Sequence, residues 1–413
     1  MAGIRITKRT STAIFCWWIP ERKRRVKCPH AGNMNRIEEL FRQTNEYYLD
    51  ALDRKYPDFD QVMDKKLPVV IYGAGRMGEK FLYNLQKLGI AAQAFADGNA
   101  ARWGQQLAGV DIVDPTTIKA RYGSAAVLIA SLLYESEIEA KLYALGTDHI
   151  YPLRYLNLKH PDIFISPEYE GESAALFDEA NRRGILALNE LWNDDESRRI
   201  FQNIIEFRLT FNKKLIHDSS SKNIQYFENG VIQTGEQEIF ADCGAYSGDT
   251  LQEFRKQTKN RFKKYYAFEP DEENMKKLRQ IIEETDNGRI IPVTAGVYIT
   301  SGKISFLAEG ALDSRISLSQ GTDSIQVFSL DDFFKHKEAP TFIKMDIEGA
   351  EEEALRGAEG LLRADAPKLA ISVYHRAADL WRLPLLIKGL QKHYRLYLRH
   401  YSSEIVDTVC YAV

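Results

Sequence analysis

Apolar positions recur along the chain in two alternating rhythms. From Ile37 to Leu52 they return every three or four residues (Ile37, Leu40, Phe41, Tyr48, Leu49, Leu52), which predicts one amphipathic helix packed on the domain that follows. Pro68 then admits a strand-length apolar run, Val69 to Tyr72, glycines turn the chain, and Met77 to Leu88 resumes helical spacing. The runs AAQAFAD (ending on Asp97), AAVLIAS (Ala125 to Ser131) and HIYPL follow, with a helix predicted over Glu135 to Leu145. Strands alternating with helices imply a parallel sheet over residues 34–160. Residues 161–235 lose this alternation and read as a helical connector, carrying SAALFDEANRRGILALNELW and DESRRIFQNIIEFRLTFNKKL. From 236 to 413 strands return as EIFADCG, KYYAFEP, IIPVTAGVY, KISFLAE, FIKMDIE, KLAISVY, YRLYLRHY and TVCYAV. No helix separates the last two, so they should form an antiparallel hairpin. The fold class expected is α/β, two Rossmann-like doubly wound sheets joined by a helical connector.

Composition narrows the class of protein. The 413 residues, 44% apolar and 27% charged, suit two or three ordinary globular domains. No apolar stretch approaches the ~18 residues of a membrane-spanning helix. Four scattered cysteines (Cys16, Cys28, Cys243, Cys410) form no CxxC pair, so no disulfide framework or structural zinc site is expected, and a cytoplasmic location fits. Residues 1–33 hold eight Lys and Arg against Glu21 alone, a net +7, which leaves −10 on the remainder of a chain whose total is −3. The acidic body argues against a nucleic-acid surface across it. The basic extension reads either as an arm for phosphate or membrane or as a stretch upstream of a natural start at Met34.

Two glycine loops carry the candidate binding chemistry. The first, GAGRMG (Gly73, Gly75, Gly78), lies between a strand and a helix, with Asp97 19 residues beyond Gly78, and satisfies the dinucleotide fingerprint. No Tyr-x-x-x-Lys pair stands out, so binding of a nucleotide or nucleotide-sugar is expected rather than redox chemistry; the plain alternative is a domain retained as an oligomerisation surface. In the second, FADCGAYSGDT, Asp242 ends a strand while Gly244 and Gly248 bracket the turn into a helix. Glu269, 25 residues beyond Gly244, can accept both hydroxyls of a ribose. Tyr246 in mid-turn would crowd a diphosphate, which favours S-adenosylmethionine over a dinucleotide.

FADCGAYSGDTLQEF, YYAFEPDEENMKKL, FIKMDIEGAEEEALRGA, PKLAISVYH and the closing YRLYLRHYS...DTVCYA resemble, in that order and spacing, the FkbM-type methyltransferases. The resemblance implies a class I S-adenosylmethionine fold with a terminal antiparallel hairpin and O-methylation, often of sugars or polyketide-type metabolites. It places Asp242, Gly244, Ala245, Tyr246 and Gly248 in the cofactor loop, Glu269 at the ribose and Ala295 by the adenine; LDSRIS puts Ser314 and Arg315 loosely at the cofactor or acceptor. The acceptor is expected to be a small molecule or glycan. FADGNAARWGQQLAGVDIVDPTTI similarly resembles small nucleotide- or nucleotide-sugar-binding domains that precede sugar-modifying enzymes.

Methyl transfer to oxygen needs a group that removes the acceptor's proton. Asp346 ends the FIKMD strand, Glu348 follows, and His375 ends LAISVYH, all at the edge where open α/β sheets bind ligands. Asp346 or His375 is the expected base; alternatively Asp346 and Glu348 hold a divalent cation. Glu351, Glu352 and Glu353 read as first-turn acids that meet their own helix dipole, at ~0.3 to 1 kcal/mol each. Two other functions stay open: a bifunctional enzyme with NAD-dependent sugar-nucleotide chemistry in its first domain, and a non-catalytic nucleotide-binding assembly protein. A homo-oligomer is compatible with each.

Overall fold

The structure, a computed structural model, describes residues 36–413 apart from residues 58, 132–133, 165–174, 177, 284–287, 308–314 and 317–322. The basic extension over residues 1–33 therefore lies outside the described residues. Among the described residues no helix is long and apolar enough to cross a membrane.

The helix expected over Ile37 to Leu52 is two helices, Arg36–Arg42 and Asn45–Lys55. The break falls at Thr44, whose hydroxyl accepts the Tyr47 amide (3.2 Å) and so caps the second helix. Its apolar face is also shared differently than expected. Ile37 and Tyr48 enter the core of the C-terminal sheet, and Leu52 and Tyr56 that of the first sheet. Arg36 fixes this docking by hydrogen bonds to Glu206 (2.7 Å) and Asn203 (2.9 Å).

The first sheet has six strands: β1 (Val69–Tyr72), β2 (Ala92–Ala96), β3 (Gln106–Leu107), β4 (Val110–Val113), β5 (Ala126–Ile129) and β6 (His149–Tyr151), in the order β3-β4-β2-β1-β5-β6. β1 is buried throughout and flanked by parallel partners on both sides, which is why it reads as a continuous apolar run. The β3-β4 hairpin lies inside FADGNAARWGQQLAGVDIVDPTTI and was not foreseen, because its strands are too short to show a period.

The segment expected to connect the domains packs instead as a layer of the second sheet. Helices Glu179–Asn189 and Asp195–Thr210 bury Ile185, Leu188, Ile200, Phe201 and Ile204 in one core with Trp381, Leu396 and Leu398. That second sheet contains β7 (Ile239–Cys243), β8 (Lys264–Phe268), β9 (Ile290–Val293), β14 (Phe342–Met345), β15 (Lys368–Ser372), β16 (Leu396–His400) and β17 (Thr408–Ala412). Its order is β16-β17-β15-β14-β7-β8-β9, parallel except for β17, which is antiparallel to both β15 and β16. The expected terminal hairpin is thus present. IIPVTAGVY, read as one strand, divides at a turn closed by the Ala295 amide on the Val293 carbonyl (2.8 Å). Its second half, β10 (Gly296–Val297), joins β11 (Gly302–Leu307), β12 (Arg315–Ile316) and β13 (Asp323–Phe328) in a separate four-stranded sheet.

Register determines what meets at the ligand edge. Lys344 of β14 stands beside Asp242 of β7, and Met345 beside both Cys243 and Ile371. The chain therefore leaves β7, β14 and β15 side by side, delivering Gly244, Asp346 and Tyr374 to one place.

Candidate active site

At that edge lies a cavity of about 530 Å³. Of the residues expected to bind or react there, Gly244, Tyr246, Glu269, Asp346 and Glu348 line it. Gly244 has φ 84°, and a Cβ on it would fall 1.9 Å from the Asp346 carbonyl oxygen, so the glycine serves the approach of two loops rather than of a ligand. Gly248, at φ 94°, would bring a Cβ to 2.9 Å from Leu278, so its lack of a side chain lets the loop pack closely on the neighbouring helix. Glu269 accepts the Tyr246 amide on one oxygen and the Asp271 amide on the other, each at 2.9 Å. It thereby ties the glycine loop to the turn after β8, while each oxygen keeps a lone pair for a hydroxyl in the cavity.

Four of the expected cofactor residues, Gly248 among them, stand behind the wall. Ala245 and Ala295 are buried, and the neighbours of Ala295, Gly296 and Val297, line the cavity in its place. Asp242 is fully buried, accepts the Tyr265 hydroxyl, and lies 3.1 Å from the Lys344 ammonium. Lys344 also donates to the Gly244 carbonyl at 2.7 Å. Burial opposes the Lys344 charge, but Asp242 and Asp346 outweigh it and hold its proton more firmly than usual. Asp242 and Lys344 form a buried brace under the loop.

Asp346 is held from several sides. Tyr226 donates to Oδ2 at 2.7 Å and Tyr374 to Oδ1 at 3.2 Å, and His375 Nε2 lies 3.3 Å from Oδ1. Burial pushes its pKa up, and the positive charges of His375 and Lys344 prevail and bring it below the ordinary value. His375 differs from the expected base. Its ring is 4% exposed and sits behind Asp346, with Nδ1 3.0 Å from Glu351 and Nε2 3.6 Å from Glu348. Burial would lower its pKa, but Glu351, Asp346 and Glu348 raise it to about 10. At neutral pH it already holds a proton and cannot take another.

Glu351 is likewise more than a dipole acid. It is 1% exposed, accepts the Ile347 amide at 2.9 Å, and is the partner of His375 Nδ1. Asp346, Glu351 and His375 are the group, among the described residues, whose donor atoms approach within 4.8 Å of one another. The two carboxylates nevertheless face opposite ring nitrogens, which suits a clasped imidazolium; a single cation would take one nitrogen of a neutral ring. The carboxylates of Asp346 and Glu348, proposed as a cation pair, both approach His375 Nε2 instead. A divalent cation was the alternative reading of these acids, and with His375 protonated between them the distances describe ion pairs.

Several wall residues were not foreseen. Gln225, Tyr226, Lys344, Tyr374 and Asp407 all border the cavity. Asp407 carries a signal in the topology: it precedes an antiparallel last strand, which enters the sheet at the edge where β15 leaves. Ten described residues other than glycine have positive φ, and four of them, Tyr226 (68°), Tyr246 (46°), Glu348 (55°) and Asp407 (59°), line this one cavity. Such backbone costs of the order of 1–2 kcal/mol per residue, so its concentration here marks a wall held in shape by the surrounding structure.

The first glycine loop also brings its predicted residues together. Gly73 has φ 111°, with a Cβ position 3.0 Å from the Ala130 carbonyl, and Gly78 packs against Gly73. Asp97 is engaged by the loop itself, accepting the Ala74 amide (3.0 Å) and the Asn99 amide (2.8 Å). Arg102 lies across it, 3.5 Å from the carboxylate and bonded to the Ala74 carbonyl. This arrangement braces the loop, and it adds nothing to the bifunctional or assembly readings. Ser314 and the Arg315 side chain lie outside the described residues.

Residues 242–405 match the family model described as Methyltransferase FkbM domain, and residues 63–151 that described as C2185-like, N-terminal. Among solved structures, methyltransferase FkbM from Methylobacillus flagellatus is 23% identical, with a TM-score of 0.68 over 89% of this chain and 99% of that one. Aeropyrum pernix fibrillarin with bound S-adenosyl-L-methionine is 13% identical over 45% of this chain and 70% of that one, with a TM-score of 0.30. A putative methyltransferase from Streptococcus mutans in complex with SAH is 15% identical over 44% and 92%, with a TM-score of 0.27. No curated protein matches the chain.

Proposed function

We propose that this chain transfers a methyl group from S-adenosylmethionine to a hydroxyl of a sugar or glycan, a reading supported by the match of residues 242–405 to the Methyltransferase FkbM domain model. The observation that carries the reading is the pairing, on one cavity wall, of Glu269 beside the glycine loop with Asp346 at the end of β14. The residues present fit such a cofactor. Glu269 offers both oxygens to a ribose, Gly296, Val297 and Ile325 supply a surface for a purine, and Tyr246 occupies the turn a diphosphate would need. Bound there, the cofactor supplies an electrophilic methyl on a sulfonium.

The chain's own groups then align and activate the acceptor. Asp346, ionised and immobilised by two tyrosines and an imidazolium, is a hydrogen-bond acceptor with no rotational freedom to lose when an acceptor hydroxyl docks. Among the described residues, Asp249, Glu269, Asp346, Glu348 and Asp407 line the cavity against Lys344 as the one cation. That excess of carboxylates suits a cationic sulfonium and a neutral polyol, and it opposes a phosphorylated acceptor, favouring a glycan or glycoside over a nucleotide-linked sugar.

Glu269→Ala is expected to weaken S-adenosylmethionine binding at least tenfold by calorimetry, in line with about 1.5–3 kcal/mol for hydrogen bonds to a charged group. Unchanged affinity would remove Glu269 from the site. Mass spectrometry of glycans from cells with and without the gene should show one added methyl, and no difference would count against the acceptor class.

A further inference from the structure

We propose that Asp407 is the catalytic base that takes the acceptor's proton, an assignment that rests on the hydroxyl-methylation reading. Proton removal needs a carboxylate that reaches the cavity and is free to bind a proton. Asp346 reaches it, but Tyr226, Tyr374 and His375 already donate to or pair with its oxygens. Glu348 leans toward His375. Asp407 lines the same cavity, on the turn into β17, in the left-handed backbone conformation (φ 59°) shared by the other shaped residues of the wall. Gln225 also borders the cavity, its amide donating to the Tyr226 hydroxyl at 3.1 Å.

Its surroundings support the role. Burial and the Asp346 charge raise the Asp407 pKa above the ordinary 3.8, prevailing over the opposing influence of the neutral Gln225 amide and the His375 charge; Tyr374 stays a neutral phenol. Two carboxylates on one cavity are thereby pushed apart, Asp346 toward permanent ionisation and Asp407 toward proton uptake, the pattern that separates an electrostatic role from an acid–base one. In the step itself the acceptor O–H breaks with its proton passing to an Asp407 oxygen. The O–CH₃ bond forms as the S–CH₃ bond breaks, and that bond's electron pair returns to sulfur.

Asp407→Asn keeps the shape and a residue tolerant of left-handed backbone. With methyl glycosides of hexoses, 6-deoxyhexoses and N-acetylhexosamines as probes, the variant is expected to lose roughly 10²–10⁴-fold in kcat on the best wild-type acceptor. It should also lose the acid limb of the kcat/KM profile, with S-adenosylmethionine affinity within about twofold of wild type. Retained kcat and an unchanged profile overturn the assignment. Failure of the wild-type chain to methylate any probe while binding S-adenosylmethionine overturns the hydroxyl reading beneath it. A readout independent of turnover is carboxyl ¹³C NMR of the full chain: the resonance absent in Asp407→Asn should titrate above 3.8, and titration below that value overturns the proposal.

Discussion

Lys344→Met should lower the stability of the chain by about 3–5 kcal/mol, read as a fall in the urea midpoint. The size follows from where the charge sits. Lys344 is in the middle strand of the second sheet, 2% exposed, and its ammonium faces an Asp242 that is fully buried. Removing the ammonium leaves that carboxylate with the Tyr265 hydroxyl and no counter-charge, and leaves the Gly244 carbonyl without its donor. An exposed ion pair would yield only about 0–1 kcal/mol, so a loss in that range would show that the brace is solvated and the argument wrong. The double variant Lys344→Met with Asp242→Leu should recover more than half of the loss, because no unpaired charge then remains.

Lys344 also shows where reading the sequence reaches its limit. Within FIKMD a lysine at an alternate position resembles the solvent-facing residue of a half-exposed strand, and only the parallel register with β7 reveals that it meets Asp242. The strands themselves were readable because each is a short apolar run bounded by turn residues. The position of Asp346 was readable for the same reason, since a carboxylate ending such a run lies at the ligand edge. Glu351 was misread because its local setting, the first turn of a helix, fully accounts for an acid; the ring that claims it arrives from the end of β15, some twenty residues on. The helices of residues 161–235 have clear periodicity, but periodicity does not say which surface an apolar face will cover. Asp407 sits in a polar turn with no pattern of its own, and becomes conspicuous only once β17 is known to run against β15.

The stability of the chain should fall by about 1.4 kcal/mol per pH unit between about pH 7 and pH 9, and His375→Gln should abolish that slope. The folded pKa of His375, about 10, lies above its ordinary 6.5. Its contribution is therefore complete below 6.5 and is lost as pH rises through 10, with a full span on the order of 5 kcal/mol. Two other buried groups titrate lower and leave this window clear. Asp379 is raised to about 7 by burial and by Glu351, so what its proton contributes is lost between 3.8 and about 7. His400 is lowered to about 4 by burial, so the neutral ring it needs becomes available between about 4 and 6.5, with the opposite sign. Near pH 7 His375→Gln should be less stable than wild type by about 4 kcal/mol, and the two urea midpoints should converge toward pH 9. A wild-type midpoint that stays level across this range would mean that His375 is neutral in the fold. The imidazolium would then be absent, and the depressed pKa of Asp346 would rest on Lys344, Tyr226 and Ser372.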